Sequence, residues 1–350
     1  MSSEKFTDMS ANIPHTSLVV PVYRNSASIP DLIAAIEDIT EAQCGSFEAI
    51  FVIDGSPDDS YALLQARLPQ ARFASRLIAL SRNFGSFAAI REGLKIAKGD
   101  YIAVMAADLQ EPPELVPAFY EVLGRGEVDV VFGQRCGRDD PFGSRVTASV
   151  FWWLYRRLAQ SEMPEGGVDV FAIHRNVRDA LLKLEPNQTS LVGQLVWLGF
   201  KRLSVPYERR RRKYGKSAWT LRKKIDYLLD SLFAFTDLPI RIFLNLGLGG
   251  MLLCVVGGIT VFTIRFMGGI SVPGYTPLAL LILFFSALNL FGIGIAGQYA
   301  YRAFGAAKQR PGAVVMNDVC YPGLGWEPHL LEESVVIVDG QEQVKRKEIG

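Results

Sequence analysis

Tyr101-Ile-Ala-Val-Met105, running on into Ala106-Ala107-Asp108-Leu-Gln110-Glu-Pro-Pro-Glu114, is the stretch that decides the fold. A short apolar run breaks into a polar turn, and Pro112-Pro113 then opens a helix, because proline suits the first helical positions. The same unit recurs on either side. Ser17-Leu-Val-Val-Pro-Val22 reads as a strand, followed by a helix over Ile29 to Ile39 with Leu32, Ile36 and Ile39 on its apolar face. Ala49 to Ile53 is the next strand, leading through Asp54-Gly-Ser-Pro-Asp58 into a helix that ends near Leu68. Leu77 to Leu80 precedes a helix over Phe87 to Ala97, and Val128 to Phe132 follows the Pro112-Pro113 helix. This alternation predicts an α/β, Rossmann-like domain over 17–219, with a mostly parallel sheet covered on both faces. Ligands of such sheets collect at the carboxyl ends of the strands. The turns after Val22, Ile53 and Met105 are therefore where chemistry is expected.

Beyond Lys213 the pattern changes. Over 220–241, Leu221, Ile225, Leu228, Leu229, Leu232 and Phe233 oppose Arg222, Lys223, Lys224 and Asp226, as in an amphipathic helix lying in a membrane interface. Two uncharged stretches follow, 242–264 and 278–300, each long enough to cross about 30 Å of hydrocarbon. They give a two-helix transmembrane hairpin over 242–302, with a short loop from Arg265 to Thr276. Lys223, Lys224 and Arg241 before it and Arg302, Lys308 and Arg310 after it outnumber Arg265 in the loop. The excess of basic residues on one side places both ends of the hairpin in the cytoplasm. The local apolar excess explains a hydrophobic content of 49% and a mean hydropathy of +0.18. Residues 1–16 are polar, so no signal peptide is expected. The tail, 303–350, offers only Val335 to Val338 as a strand. A net charge of +1 gives no reason to expect nucleic acid. Cys44, Cys136, Cys254 and Cys320 have no paired or metal-ligand spacing and read as reduced thiols.

Taken alone, Asp108 is open to two readings: a helix N-cap, or an oxygen ligand for a hard divalent cation. The run Arg209-Arg-Arg-Arg-Lys213 is open as well, to solvent, to anionic headgroups or to a phosphorylated ligand. Val150 to Arg157 carries Trp152, Trp153 and Tyr155 beside arginines, which suits either core packing or the headgroup level of a bilayer.

The order of several short motifs resembles the family 2 glycosyltransferases that act on polyprenyl phosphates, the dolichyl-phosphate mannose synthases and bacterial undecaprenyl-phosphate glucosyltransferases. These motifs are Val20-Pro-Val-Tyr-Arg-Asn25, Ile53-Asp-Gly-Ser56, Ser81-Arg-Asn-Phe-Gly85, Ala107-Asp-Leu-Gln-Glu-Pro-Pro113, Gly133-Gln-Arg135, Val168-Asp169 and the Arg209/Arg212/Gly215/Ser217 run. The resemblance implies a GT-A fold that binds a nucleotide-sugar. It implies that Pro21, Tyr23, Asp54 and Asn83 hold the nucleotide, and that Asp108 and Gln110 hold Mg²⁺ or Mn²⁺. Asp169 is then the catalytic base. Arg135, Arg145 and Ser149 grip the acceptor phosphate, and Arg209, Arg212 and Ser217 close on the diphosphate. The implied partners are the nucleotide-sugar donor, a polyprenyl-phosphate acceptor, membrane lipids, a second copy of the chain and a downstream flippase. UDP-glucose is the first-choice donor.

The sequence departs from that pattern in four places. Ala106 stands where the family has the first Asp of Asp-x-Asp, and Ile53 where it has an Asp before Asp54. The acidic residues usual after the first strand are missing from Arg24-Asn25-Ser26, and Ala218 replaces a lysine after Ser217. Each lost carboxylate weakens the hold on a cation, and Ala106 with Ile53 favours the alternative of an impaired relative that binds lipid or scaffolds a flippase. A processive polysaccharide synthase is disfavoured, since no Gln-x-x-Arg-Trp occurs. The transfer itself makes modest demands. A phosphomonoester with a second pKa of about 6 is already largely nucleophilic at neutral pH. Stabilising the departing diphosphate is the main task, and in-line attack would invert the anomeric centre.

Overall fold

The computed structural model describes residues 15–43, 45–136, 152–153, 155–157, 160–164, 167–184, 190–210, 228–232, 236, 238–267, 275–308, 310–323, 336–338 and 341–343. In chain order the domain consists of β1 (Thr16–Val22), α1 (Ile29–Glu41), β2 (Phe47–Ile53), α2 (Ser60–Arg67), β3 (Ala74–Leu80), α3 (Ser86–Ile96), β4 (Tyr101–Val104) and α4 (Leu115–Gly124). There follow β5 (Val130–Arg135), β6 (Phe171–His174), α5 (Arg175–Lys183), α6 (Leu191–Trp197) and β7 (Arg202–Tyr207). Two long helices, α7 (Leu238–Phe266) and α8 (Tyr275–Ala307), lead to β8 (Val315–Tyr321) and a small hairpin of β9 (Val336–Val338) and β10 (Gln341–Gln343).

Side-chain alternation along the strands builds two apolar layers. Leu18, Val20 and Val22 of β1 join Phe51, Leu32, Ile36 and Phe119 beneath one face of the sheet. Val19 joins Ile50, Val52, Ile90 and Leu94 on the other. Strands covered on both sides read as continuous apolar runs, which is why β1 to β5 were legible. The sheet order is β7-β5-β6-β4-β1-β2-β3-β8. It is mixed rather than mostly parallel: β6 runs antiparallel to both β4 and β5, and β8 antiparallel to β3. Reversal of β6 has a functional effect, because it brings the start of that strand to the edge where the other strands end.

β8 is an element that the sequence reading did not anticipate. It pairs with β3 along Ser75 to Leu80. The Arg76 guanidinium donates to both oxygens of Asp318 at 2.7 and 2.6 Å, fastening the tail to the domain. Since β7 precedes α7 and β8 follows α8, both ends of the helical pair attach to one sheet.

α7 begins at Leu238 and absorbs 238–241, which the sequence reading gave to the preceding amphipathic helix. Most of that segment lies outside the described residues; within it, Ser231 is buried and its hydroxyl lies 3.1 Å from Tyr155 Oη. Among the described residues no helix is long and apolar enough to cross a membrane. Several apolar side chains of α7, Leu253 to Val255 and Val261-Phe262 among them, are outside the described set. Gly250 faces Phe285 of α8, whereas among the described residues nothing lies within 4 Å of a Cβ on Gly247 or Gly249. Gly292 matters more, since a Cβ there would fall 1.8 Å from Phe243 Cζ. Gly292→Leu should therefore separate α7 from α8 at a cost of at least about 1–3 kcal/mol. A lowered melting temperature of the detergent-solubilised protein would show it.

Candidate active site

Strands β1, β2, β3, β4, β5 and β7 all point the same way, so their carboxyl ends share one edge with the start of β6. That edge gathers Tyr23, Asp54, Asn83, Asp108, Gln110, Arg135, Asp169 and Arg209, far apart in sequence. Arg145, Ser149, Arg212 and Ser217 lie outside the described residues.

Pro21 sits within β1 opposite Val52. Pairing of β1 with β4 stops at Val19, before the residue that lacks an N–H to donate. The chain beyond β4 is thus released into the Met105 to Glu114 turn. Tyr23 is 40% exposed, consistent with a face open to a ligand, and the Arg24 guanidinium lies 5.3 Å from its ring centroid. Three backbone amides of this loop are stapled to the next turn: Arg24 to Ser56 Oγ at 2.7 Å, Asn25 to Ser60 Oγ at 3.2 Å and Ser26 to Asp58 Oδ2 at 3.0 Å. Asp58 was not singled out from sequence. Burial works against its charge, but hydrogen bonds from Ser56 and Ser26 prevail and hold its carboxyl well below the usual range.

Asp54 is engaged by the neighbouring turn. It is only 2% exposed, and its carboxylate accepts hydrogen bonds from the backbone of Phe84 at 2.7 Å and Gly85 at 2.9 Å. Burial pushes this carboxyl up against the pull of those two amides. Asn83 donates to the Asp54 carbonyl at 3.3 Å. Both residues therefore help to lock two turns together at the strand edge, Asp54 from a buried position and Asn83 from an exposed one.

The Asp108 turn is shaped by Leu109, which adopts a left-handed φ of 53°, and by the Gln110 amide, 3.3 Å from Asp108 Oδ1. The Ser28 hydroxyl donates to the Ala107 carbonyl at 2.8 Å and ties the turn to the start of α1. Asp108 lies ten residues or fewer from β4 on one side and α4 on the other, but Glu114 occupies the N-cap position of α4. The N-cap reading of Asp108 therefore falls.

Asp169 precedes β6, and its carboxylate forms an ion pair with Arg135 at the end of β5. Tyr207 Oη is 3.5 Å from the same Asp169 oxygen, and burial together with the Asp169 charge pushes the phenol up. The proposed base and the proposed phosphate grip are thus partners. His174 ends β6 and caps α5, accepting from the Asn176 amide at 3.2 Å, a structural role.

The root of the basic run docks on the Asp108 turn. The Arg210 amide donates to the Gln110 carbonyl at 2.8 Å, and its guanidinium reaches both Glu114 oxygens at 2.9 and 3.0 Å. Arg209 Nε lies 3.5 Å from Glu111 Oε1. Glu111 was read only as part of its motif. It is 1% exposed, and burial first, then the Asp169 charge, push its carboxyl up to about 7, with Arg209 opposing. An acidic residue beside Gln110 in a strand-to-helix turn was the signal available for it.

Of the aromatic segment 150–157, Tyr155 is fully buried and Trp152 packs where a Cβ on Gly167 would sit, whereas Trp153 is 61% exposed. Core packing and an outward aromatic are both present.

Residues 17–179 match the model of the glycosyl transferase family 2 domain. An uncharacterised Bacillus subtilis glycosyltransferase, YkcC, is 30% identical over 314 residues, 88% of this chain and 95% of its own. The Escherichia coli prophage bactoprenol glucosyl transferase homolog is 29% identical, over 85% of this chain and 97% of its own. The undecaprenyl-phosphate 4-deoxy-4-formamido-L-arabinose transferase of Sodalis glossinidius is 28% identical, over 85% and 92%. With the motifs gathered on one sheet edge and relatives aligned nearly end to end, this chain is a sugar-transferring enzyme that belongs to glycosyl transferase family 2.

Proposed function

We propose that the enzyme transfers a hexose, with UDP-glucose as donor, to a polyprenyl phosphate at the cytoplasmic face of a membrane, inverting the anomeric centre. The carrying observation is the Asp169–Arg135 pair on the same sheet edge as Asp108 and Arg209. Cationic groups beside these carboxylates at one sheet edge support a site for two phosphorylated substrates. The names of the bactoprenol and undecaprenyl-phosphate relatives support the lipid acceptor.

The residues fit a divalent cation. Asp108 and Gln110 offer oxygen donors only, as Mg²⁺ and Mn²⁺ prefer. Among the described residues no group of three or more His, Cys, Asp or Glu is placed to hold a metal. One or two carboxylates suffice where substrate phosphates and waters complete the shell. A bound cation would supply charge to the departing nucleoside diphosphate. The chain's own groups do the rest. Arg209 adds a guanidinium beside the diphosphate. Arg135 binds the acceptor phosphate, which displaces the Asp169 carboxylate and leaves it to orient the acceptor or take its residual proton.

Membrane insertion is supported by the helical pair. At 1.5 Å per residue the 29-residue α7 and the 33-residue α8 are about 43 and 50 Å long, more than a bilayer core requires. Leu244, Leu248, Leu252, Ile259, Leu290 and Ile293 are each more than 60% exposed, a surface that water would not favour. Attachment of both ends to one sheet fits a hairpin returning to the same side, and the flanking basic residues support the cytoplasm as that side. The lipid-linked product would then require a flippase to cross.

Membranes containing the protein, given labelled UDP-glucose, undecaprenyl phosphate and Mg²⁺ or Mn²⁺, should yield a lipid-soluble labelled product that mild acid cleaves to free glucose. Transfer only from another nucleotide-sugar would correct the donor. No lipid-linked product from any donor of a panel would overturn the reading.

A further inference from the structure

We propose that Glu111 is an acidic ligand of the cation site, making good the carboxylate that Ala106 lacks. This inference rests on the divalent cation of the proposed function and adds a residue to its site.

The observation behind it is a buried carboxylate with no satisfied oxygen. Glu111 is 1% exposed, and neither Oε1 nor Oε2 has a hydrogen-bond partner. Buried carboxylates are normally hydrogen-bonded and paired, or they coordinate a metal. Arg209 is the nearest cation, but its Nε stands 3.5 Å from Oε1 and makes no hydrogen bond to it. A purely structural ion pair would close that gap, as the two-pronged contacts of Arg76 with Asp318 and of Arg210 with Glu114 do. Glu111 stands in the same turn as Asp108, which the left-handed φ of 53° at Leu109 shapes, three residues further along the chain.

The test is Mn²⁺ binding to the full-length protein in detergent, followed by the electron paramagnetic resonance of free Mn²⁺, with and without UDP. Glu111→Gln should weaken Mn²⁺ by about 10–100-fold. Ala106→Asp in the Glu111→Gln background should recover most of that loss, since the restored carboxylate makes the other dispensable. Ala106→Asp alone should tighten Mn²⁺ several-fold, a result that does not depend on how well Glu111→Gln folds. Wild-type Mn²⁺ affinity in Glu111→Gln, or no effect of Ala106→Asp in either background, would overturn the proposal and leave Glu111 as a positioning residue for Arg209. If the wild-type protein binds no Mn²⁺ even with UDP, the cation itself fails, and Glu111 with it.

Discussion

Replacing Asp108 with alanine should abolish sugar transfer while leaving the domain folded. Asp108 lies in the turn beyond β4, where strand pairing with β1 has already ended at Val104, and no core layer includes its side chain. Its carboxylate receives the Gln110 amide at 3.3 Å, a long contact whose loss costs about 1 kcal/mol. The functional loss is far larger. Charge stabilisation by a cation on a phosphoryl group is worth several kcal/mol in the transition state. At about 1.4 kcal/mol per factor of ten, turnover should fall at least about 10³-fold. Product formation at saturating donor, with a thermal melt of the same preparation, separates the two effects. Undiminished turnover would remove Asp108 from the cation site.

How much of this was legible in the sequence follows from what each residue contacts. β1, β2 and β4 were readable because both faces are covered, and hydrophobicity alone marks such strands. Their boundaries moved by a residue or two, β2 starting at Phe47 rather than Ala49. β8 escaped because its Val-Met-Asn-Asp-Val-Cys-Tyr run is mostly exposed and includes Asn317 and Asp318, poor strand formers. Its stability comes from β3, some 240 positions earlier, and no local pattern encodes that partner. The antiparallel course of β6 is likewise a property of its neighbours. The site shows the same division. Asp108, Asp169 and Arg135 could be placed from motif order, yet that Arg135 and Asp169 pair with each other required the fold. Glu111 stood in a motif already singled out, but its burial depends on how the turn folds at Leu109. Sequence order told which residues gather at the edge, and only packing told which of them face a ligand.

Asp54 is where that distinction has its largest consequence for stability. Asp54→Ala should destabilise the domain by about 2–5 kcal/mol, since the Phe84 and Gly85 amides would lose their acceptor in a part-buried setting and each unsatisfied donor costs about 1–3 kcal/mol. Against a total domain stability of about 5–15 kcal/mol this is a severe loss. The turn has little freedom to adapt. Gly55 is left-handed at φ 55°, and a Cβ there would fall 2.2 Å from the Arg82 carbonyl carbon, so the two turns stack backbone on backbone. Asp54→Asn retains one acceptor oxygen and should lose roughly half as much. Because that stack sets the position of Arg82 and Asn83 at the strand edge, Asp54→Asn should raise the donor KM more than it lowers kcat. Denaturant unfolding of both variants, alongside donor titrations, tests the assignment. Were Asp54 chiefly a ligand for the nucleotide, Asp54→Ala would raise KM with stability unchanged. The hydrogen bonds to Phe84 and Gly85 predict the reverse order of effects, with loss of stability first and loss of affinity as its consequence.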